Sequence, residues 1–198
     1  KQLATFMTQE DLNCSLIGVC DLFDVRANQG IDASKNEVRP GKKPKATATR
    51  YRHYTDLLAN KDIDAVIVAT PDHWHSRITI AAARAGKHVY CEKGLTRTFD
   101  EAIKVYDTVK NTGITFQLGH QNRQVEANYK AKQIIEQGLL GKINLVELAT
   151  NRNSPWGAWV WGIHPEGNAK TIDWDTFQEP SPNKIPFGEE ALKRFFRW

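Results

Sequence analysis

Residues 63–92, IDAVIVATPDHWHSRITIAAARAGKHVYCE, decide the fold. The run IDAVIVATP (63–71) is continuous and rich in β-branched residues, the pattern of a strand covered on both faces. DHWHSRITIAAARAG (72–86) then sets Trp74, Ile78, Ala81, Ala82 and Ala85 on one helical face. Gly86 stands where a helix end favours a residue that tolerates positive φ. HVYCE (88–92) is the next strand. Two strands joined by a helix of this length pair in parallel, with the helix crossing one face.

The same alternation extends in both directions. SLIGVCD (15–21) is a short β-rich run, FDVRANQGIDASKN has helical composition, ATRY (48–51) reads as a short strand and YTDLLAN as a helical turn. Downstream, TFDEAIKVYDTVKNTG (98–113) opens with Thr98 and Glu101 at capping-box spacing and closes on Gly113. Phe99, Ala102, Ile103, Tyr106 and Val109 recur along it as the expected core face. ITFQLGH (114–120) is a further strand. The predicted class is α/β, a Rossmann-type parallel doubly wound sheet over residues 1–123.

From residue 124 the character changes, and residues 124–198 are expected to begin an α+β domain. VEANYKAKQIIEQGLLG reads as a helix and KINLVELATNR (142–152) as a strand. A Trp- and Pro-rich stretch of little periodicity follows, then EEALKRFFRW.

Composition narrows the function. The chain has 198 residues, 40% hydrophobic and 25% charged, and no apolar stretch near the roughly 20 residues that span a bilayer. No membrane association is expected. Cys14, Cys20 and Cys91 are too few and scattered for a disulfide framework, so a reducing, cytoplasmic setting is the default. An exported parent stays open. The net charge of +4 comes mainly from RPGKKPKATATRYRH (39–53), read as a solvated connecting loop and not as a nucleic-acid contact.

Dinucleotide-binding sheets carry Gly-x-Gly-x-x-Gly after the first strand and an acidic residue about 20 positions later. No two glycines here lie two positions apart, yet Asp21 ends the first visible strand. The expectation is that the glycines precede Lys1, and that the first strand of the sheet belongs between the SLIGVC and IDAVIVA strands. On this reading the chain is part of a longer protein.

HVYCEKG (88–94) sets a carboxylate and an ammonium at a strand end, then glycine. It reads either as a solvated strand end or as a catalytic lysine at the carboxyl edge of the sheet. Taken with ATPDHWH some twenty residues earlier, the stretch IDAVIVATPDHWHSRITIAAARAGKHVYCEKGLTRTFDEA resembles the nucleotide-binding half of the glucose-fructose oxidoreductase / inositol dehydrogenase / MocA family. The resemblance covers roughly residues 1–123 closely, and the next domain more loosely.

That resemblance implies an oxidoreductase using NAD, with NADP also open, to move hydride to or from a carbinol carbon of a sugar, polyol or glycoside. A redox-neutral glycoside-cleaving variant and a non-catalytic relative are the alternatives. Lys93 matches the lysine of the family's Glu-Lys-Pro pattern, as the residue that hydrogen-bonds the reacting hydroxyl and relays its proton. Glu92 would orient the nicotinamide ribose or the lysine. Gly94 replaces the family's proline and so removes the usual source of a cis peptide.

Asp21 would take the adenosine ribose and favour NAD, while Arg26 and the basic loop keep NADP open. Thr70, Pro71, His75 and Gln121 are implied cofactor contacts, and His120 and Arg123 substrate contacts. His120 also fits a structural histidine. Trp156, Trp159 and Trp161 are read two ways, as sugar-stacking indoles or as packing for a loop or a subunit contact. No metal is expected, since His73 and His75 lack patterned partners. The family's Asp-x-x-x-His element does not occur here and is expected beyond Trp198. A homodimer or homotetramer is implied for the parent.

Overall fold

The computed structural model describes residues 14–35, 47–149 and 161–197. Five strands alternate with helices: β1 Gly18–Cys20, α1 Asp24–Ser34, β2 Thr49–Tyr51, α2 Tyr54–Ala59, β3 Ala65–Val68, α3 Asp72–Arg84, β4 His88–Glu92, α4 Phe99–Thr112 and β5 Phe116–Gly119. Every strand pair is parallel. The strands form two groups, β1-β2 and β3-β4-β5, and β1 does not pair with β3. That break falls where the sequence places a further strand.

The βαβ unit read from residues 63–92 is present. Under β3-β4-β5, Leu58, Val68, Ala82, Val89 and Cys91 form one buried cluster. Helix α3 is amphipathic in a slightly different sense from that expected: Trp74, His75, Thr79, Ala82 and Ala83 are buried, whereas Ala85 caps the helix and is exposed. Gly86 and Gly113 both have positive φ, 74° and 68°, and follow their helices as expected.

Helix α1 lies close on β1 because Gly30 faces Val19. A Cβ at Gly30 would stand 2.8 Å from Val19 Cγ1.

Two expectations are corrected. Helix α4 begins with the predicted cap, Thr98 Oγ1 accepting from the Glu101 amide at 3.2 Å, but its core face is not the predicted one. Val105 is buried, while Phe99, Ile103 and Tyr106 are 79%, 43% and 63% exposed. Periodicity finds an apolar stripe but cannot say which neighbour covers it. The strand expected at 142–152 does not form over residues 142–149, and the remainder lies outside the described residues. Leu145, Val146 and Leu148 are largely exposed there. A strand is stable only with a neighbour to take its backbone hydrogen bonds, and no described strand flanks this one.

After β5 come a 3-10 turn, Gln121–Gln124, and α5, Glu126–Glu136, which has no buried residue. The low-periodicity tail is more ordered than its sequence implied. It contains α6, Trp174–Phe177, and α7, Glu189–Arg197, and it packs back on the sheet domain. Phe23 pairs with Ile172 in an antiparallel bridge, with Asp24 N donating to Thr171 O and Asp173 N to Leu22 O, each at 2.9 Å. Phe23, Ile172, Trp174, Phe177, Ala191, Phe195 and Phe196 form a second buried cluster. The Phe177 carbonyl accepts from Trp74 Nε1 and His73 Nε2, both at 3.0 Å. Trp74 is thus a packing residue, as the helix-face reading preferred.

Candidate functional site

The three central strands end at one edge. Their register pairs Val68 with Cys91 and Glu92 with Gly119, so Thr70, Lys93 and His120 leave the ladder at a common level. Ligands of open α/β sheets bind beyond the carboxyl ends of the strands, which is this edge.

Lys93 is exposed at the end of β4, directly after the half-buried Glu92. Its amide donates to Glu92 Oε2 at 3.3 Å, folding the carboxylate back over the turn. The Lys93–Gly94 peptide is cis, so the cis bond is present even though glycine stands in the proline position.

Tyr90 is a neighbour that the sequence reading missed. It lies two residues before Glu92 on β4, and such residues share a face, so the signal was available in the alternation. A Cβ at Gly119 would stand 2.7 Å from the Tyr90 hydroxyl and 3.2 Å from the Cys91 carbonyl, so only glycine at that place lets the phenol lie across β5. Burial, then the charge and hydrogen bond of Glu92, push the Tyr90 phenol above its ordinary range. Tyr90 therefore stays protonated and braces Glu92.

Thr70 and Pro71 form the loop from β3 into α3, with Pro71 as N-cap. The Thr70 hydroxyl is buried with no hydrogen-bond partner among the described residues. An orphaned buried hydroxyl costs about 1–3 kcal/mol until a ligand group meets it. His75 lies beneath this loop, not in it. It is 1% exposed, with Nδ1 2.7 Å from Gly94 O and Nε2 2.6 Å from Thr70 O. Both ring nitrogens are thus spent on the main chain, so the side-chain cofactor contact expected for His75 is replaced by an internal bond.

Asp21 stands at the end of β1, its Oδ1 accepting from the Phe23 amide at 2.9 Å. Burial holds its carboxyl above the usual range, against the lowering effects of that amide, Arg26 and Arg50. Arg26 and Arg50, two of the cations that kept NADP open, stand near enough to Asp21 to act on its charge. Arg26 lies 5.7–5.9 Å from the centroids of Phe23, Phe195 and Phe196, and Arg50 and Arg52 both bond Asp24. Most of the basic loop lies outside the described residues.

His120, Gln121 and Arg123 are exposed on the 3-10 turn after β5, where the Arg123 amide donates to His120 O at 3.0 Å. Trp161 is exposed at the start of the tail, its carbonyl accepting from Arg197 Nε at 2.8 Å. Trp156 and Trp159 lie outside the described residues. The edge therefore collects Thr70, Glu92, Lys93 and His120, with Asp21 at the end of the neighbouring strand group.

A dinucleotide fits this set: a carboxylate for ribose hydroxyls at one strand end, and an unsatisfied hydroxyl with an ammonium at the next. The glycine-rich phosphate cradle is not among the described residues. No group of three or more His, Cys, Asp or Glu that could hold a metal occurs among them. No helix among them is long and apolar enough to cross a membrane.

Comparison with known proteins identifies the fold. The profile of an oxidoreductase family with an NAD-binding Rossmann fold matches residues 12–120. Levoglucosan dehydrogenase of Pseudarthrobacter phenanthrenivorans is 42% identical over 90 residues, covering 46% of this chain and 23% of that protein. The crystal structure of myo-inositol 2-dehydrogenase from Lactobacillus plantarum superposes with a TM-score of 0.58 at 27% identity, over 71% of this chain and 38% of that one. A levoglucosan dehydrogenase solved with NADH and levoglucosan gives a TM-score of 0.53 at 30% identity, over 65% and 32%. The matched region thus spans between about a quarter and two fifths of these relatives.

Proposed function

The chain belongs to the Gfo/Idh/MocA oxidoreductase family, with its NAD-binding Rossmann fold, and from that premise we propose that it forms the nucleotide-binding part of an NAD-dependent dehydrogenase acting on a secondary hydroxyl of a sugar, polyol or glycoside. The observation that carries this reading is Lys93 beside Glu92 at the carboxyl edge, level with Thr70 and His120.

NAD, when bound, supplies the hydride acceptor. As its neutral amine, Lys93 accepts the substrate hydroxyl's hydrogen bond and then its proton as the carbon is oxidised. The ammonium formed by that transfer stabilises the negative charge still on the oxygen in the transition state. Glu92, braced by Tyr90, orients the lysine and the nearby ribose. Asp21 takes the adenosine ribose hydroxyls and repels a 2′-phosphate, which supports NAD over NADP. Thr70 and Pro71 shape the cofactor wall, Gln121 its nicotinamide end, and His120 and Arg123 the substrate side. Trp161 is the described member of the tryptophan group assigned to substrate.

The division at residue 123 is kept in this reading. It is supported by the absence of buried residues in α5 and by the exposed run after it. That apolar surface also supports a homodimer or homotetramer. Three free cysteines support a cytoplasmic setting.

The test is Lys93→Met in the gene product that carries this chain, assayed with NAD and a panel of sugars and polyols. The expected loss of kcat is about 10²–10⁴-fold, with NAD still bound. An undiminished rate overturns the role of Lys93. Glycoside cleavage without net reduced nicotinamide overturns the dehydrogenase reading in favour of the redox-neutral variant.

A further inference from the structure

The least expected feature of the edge is the pair of contacts made by His75. Its ring is 1% exposed on the first turns of α3. Nδ1 faces Gly94 O at 2.7 Å and Nε2 faces Thr70 O at 2.6 Å. Carbonyl oxygens only accept, so the ring N–H donates to one of the two loops while the ring packs against the other.

We propose that His75 is a positioning residue, whose buried ring, wedged between Thr70 O and Gly94 O, ties the β3 loop to the turn after β4 and so sets where Lys93 stands. The inference rests on the reading of Lys93 as the proton-relaying group. The three points it joins belong to three elements: α3, the loop after β3 and the turn after β4. Gly94 follows Lys93 directly, so the turn that its carbonyl anchors holds the lysine's backbone from one residue away.

The positioning role is read by NMR on the unaltered chain and on His75→Gln, whose amide can donate to one carbonyl but does not fill the ring's place between both. Its Gly94 and Lys93 amide resonances should move while Gly113 stays unchanged. In the gene product carrying the chain, kcat should fall by up to about 100-fold with the KM for NAD little altered. An unchanged kcat, or a rise in KM alone, overturns it. If no sugar or polyol is oxidised at all while the NMR result holds, the functional reading fails and the tie between the loops stands.

Discussion

Asp21 shows the tension between stability and binding at the scale of one residue. Burial raises its pKa above the ordinary 3.8. A group raised in the folded state contributes stability that is fully present below the unfolded pKa and is lost as pH rises through the folded one. At neutral pH the charged carboxylate therefore weakens the fold. Asp21→Asn keeps an acceptor for the Phe23 amide and removes the charge. Its expected outcome is a higher melting temperature at pH 7 together with NAD affinity about 10–100-fold weaker, since bonds to charged acceptors contribute about 1.5–3 kcal/mol. Thermal melts and NAD titrations on the same preparation check both halves. At this scale the sequence was informative about position: Lys93, Glu92 and Asp21 stand at strand ends, where the alternating pattern puts them. It was misleading about His75, because a histidine in a cofactor-wall loop and one beneath it read alike. Burial and the two carbonyls distinguish them.

Gly30 decides an element contact, the approach of α1 to β1. A methyl group there would stand 2.8 Å from Val19 Cγ1 and 3.1 Å from its Cγ2. Gly30→Ala gains helix propensity of about 1 kcal/mol but overpacks the interface at about 1–3 kcal/mol. The expected net effect is a modest loss of stability, by denaturant titration, that Val19→Ala in the same chain relieves more than additively. The elements themselves were legible wherever two local signals agreed. In α4 the Thr98 cap and Gly113 fix both ends, and in β4 the predicted span HVYCE matches the strand. The face of α4 was not legible, because Phe99, Ile103 and Tyr106 satisfy helical periodicity without any described neighbour to bury them. The strand at 142–152 failed for a related reason: strand formation depends on a partner, and alternation does not supply one.

Phe23 matters to the whole molecule more than to either element it joins. It is 1% exposed and lies edge-on to Phe195 and Phe196, with ring centroids 6.2 and 5.5 Å away. Through its bridge to Ile172 it fastens the tail to the end of β1. Phe23→Ala is expected to cost about 3–5 kcal/mol. Limited proteolysis should then cut the tail between residues 161 and 188 before the β3-β4-β5 unit. If the sheet unit is cut first, the tail is not the dependent part. The βαβ alternation, the strand ends that carry Asp21, Glu92 and Lys93, and the caps of α4 were determined by the sequence alone, because they follow from period, turn chemistry and spacing within some thirty residues. The return of the tail onto Phe23 and Trp74, the passage of the Tyr90 ring over Gly119, and the contact of His75 with Gly94 were decided only in three dimensions. Each joins residues of separate elements, so the contact exists only after the sheet has brought its ends together.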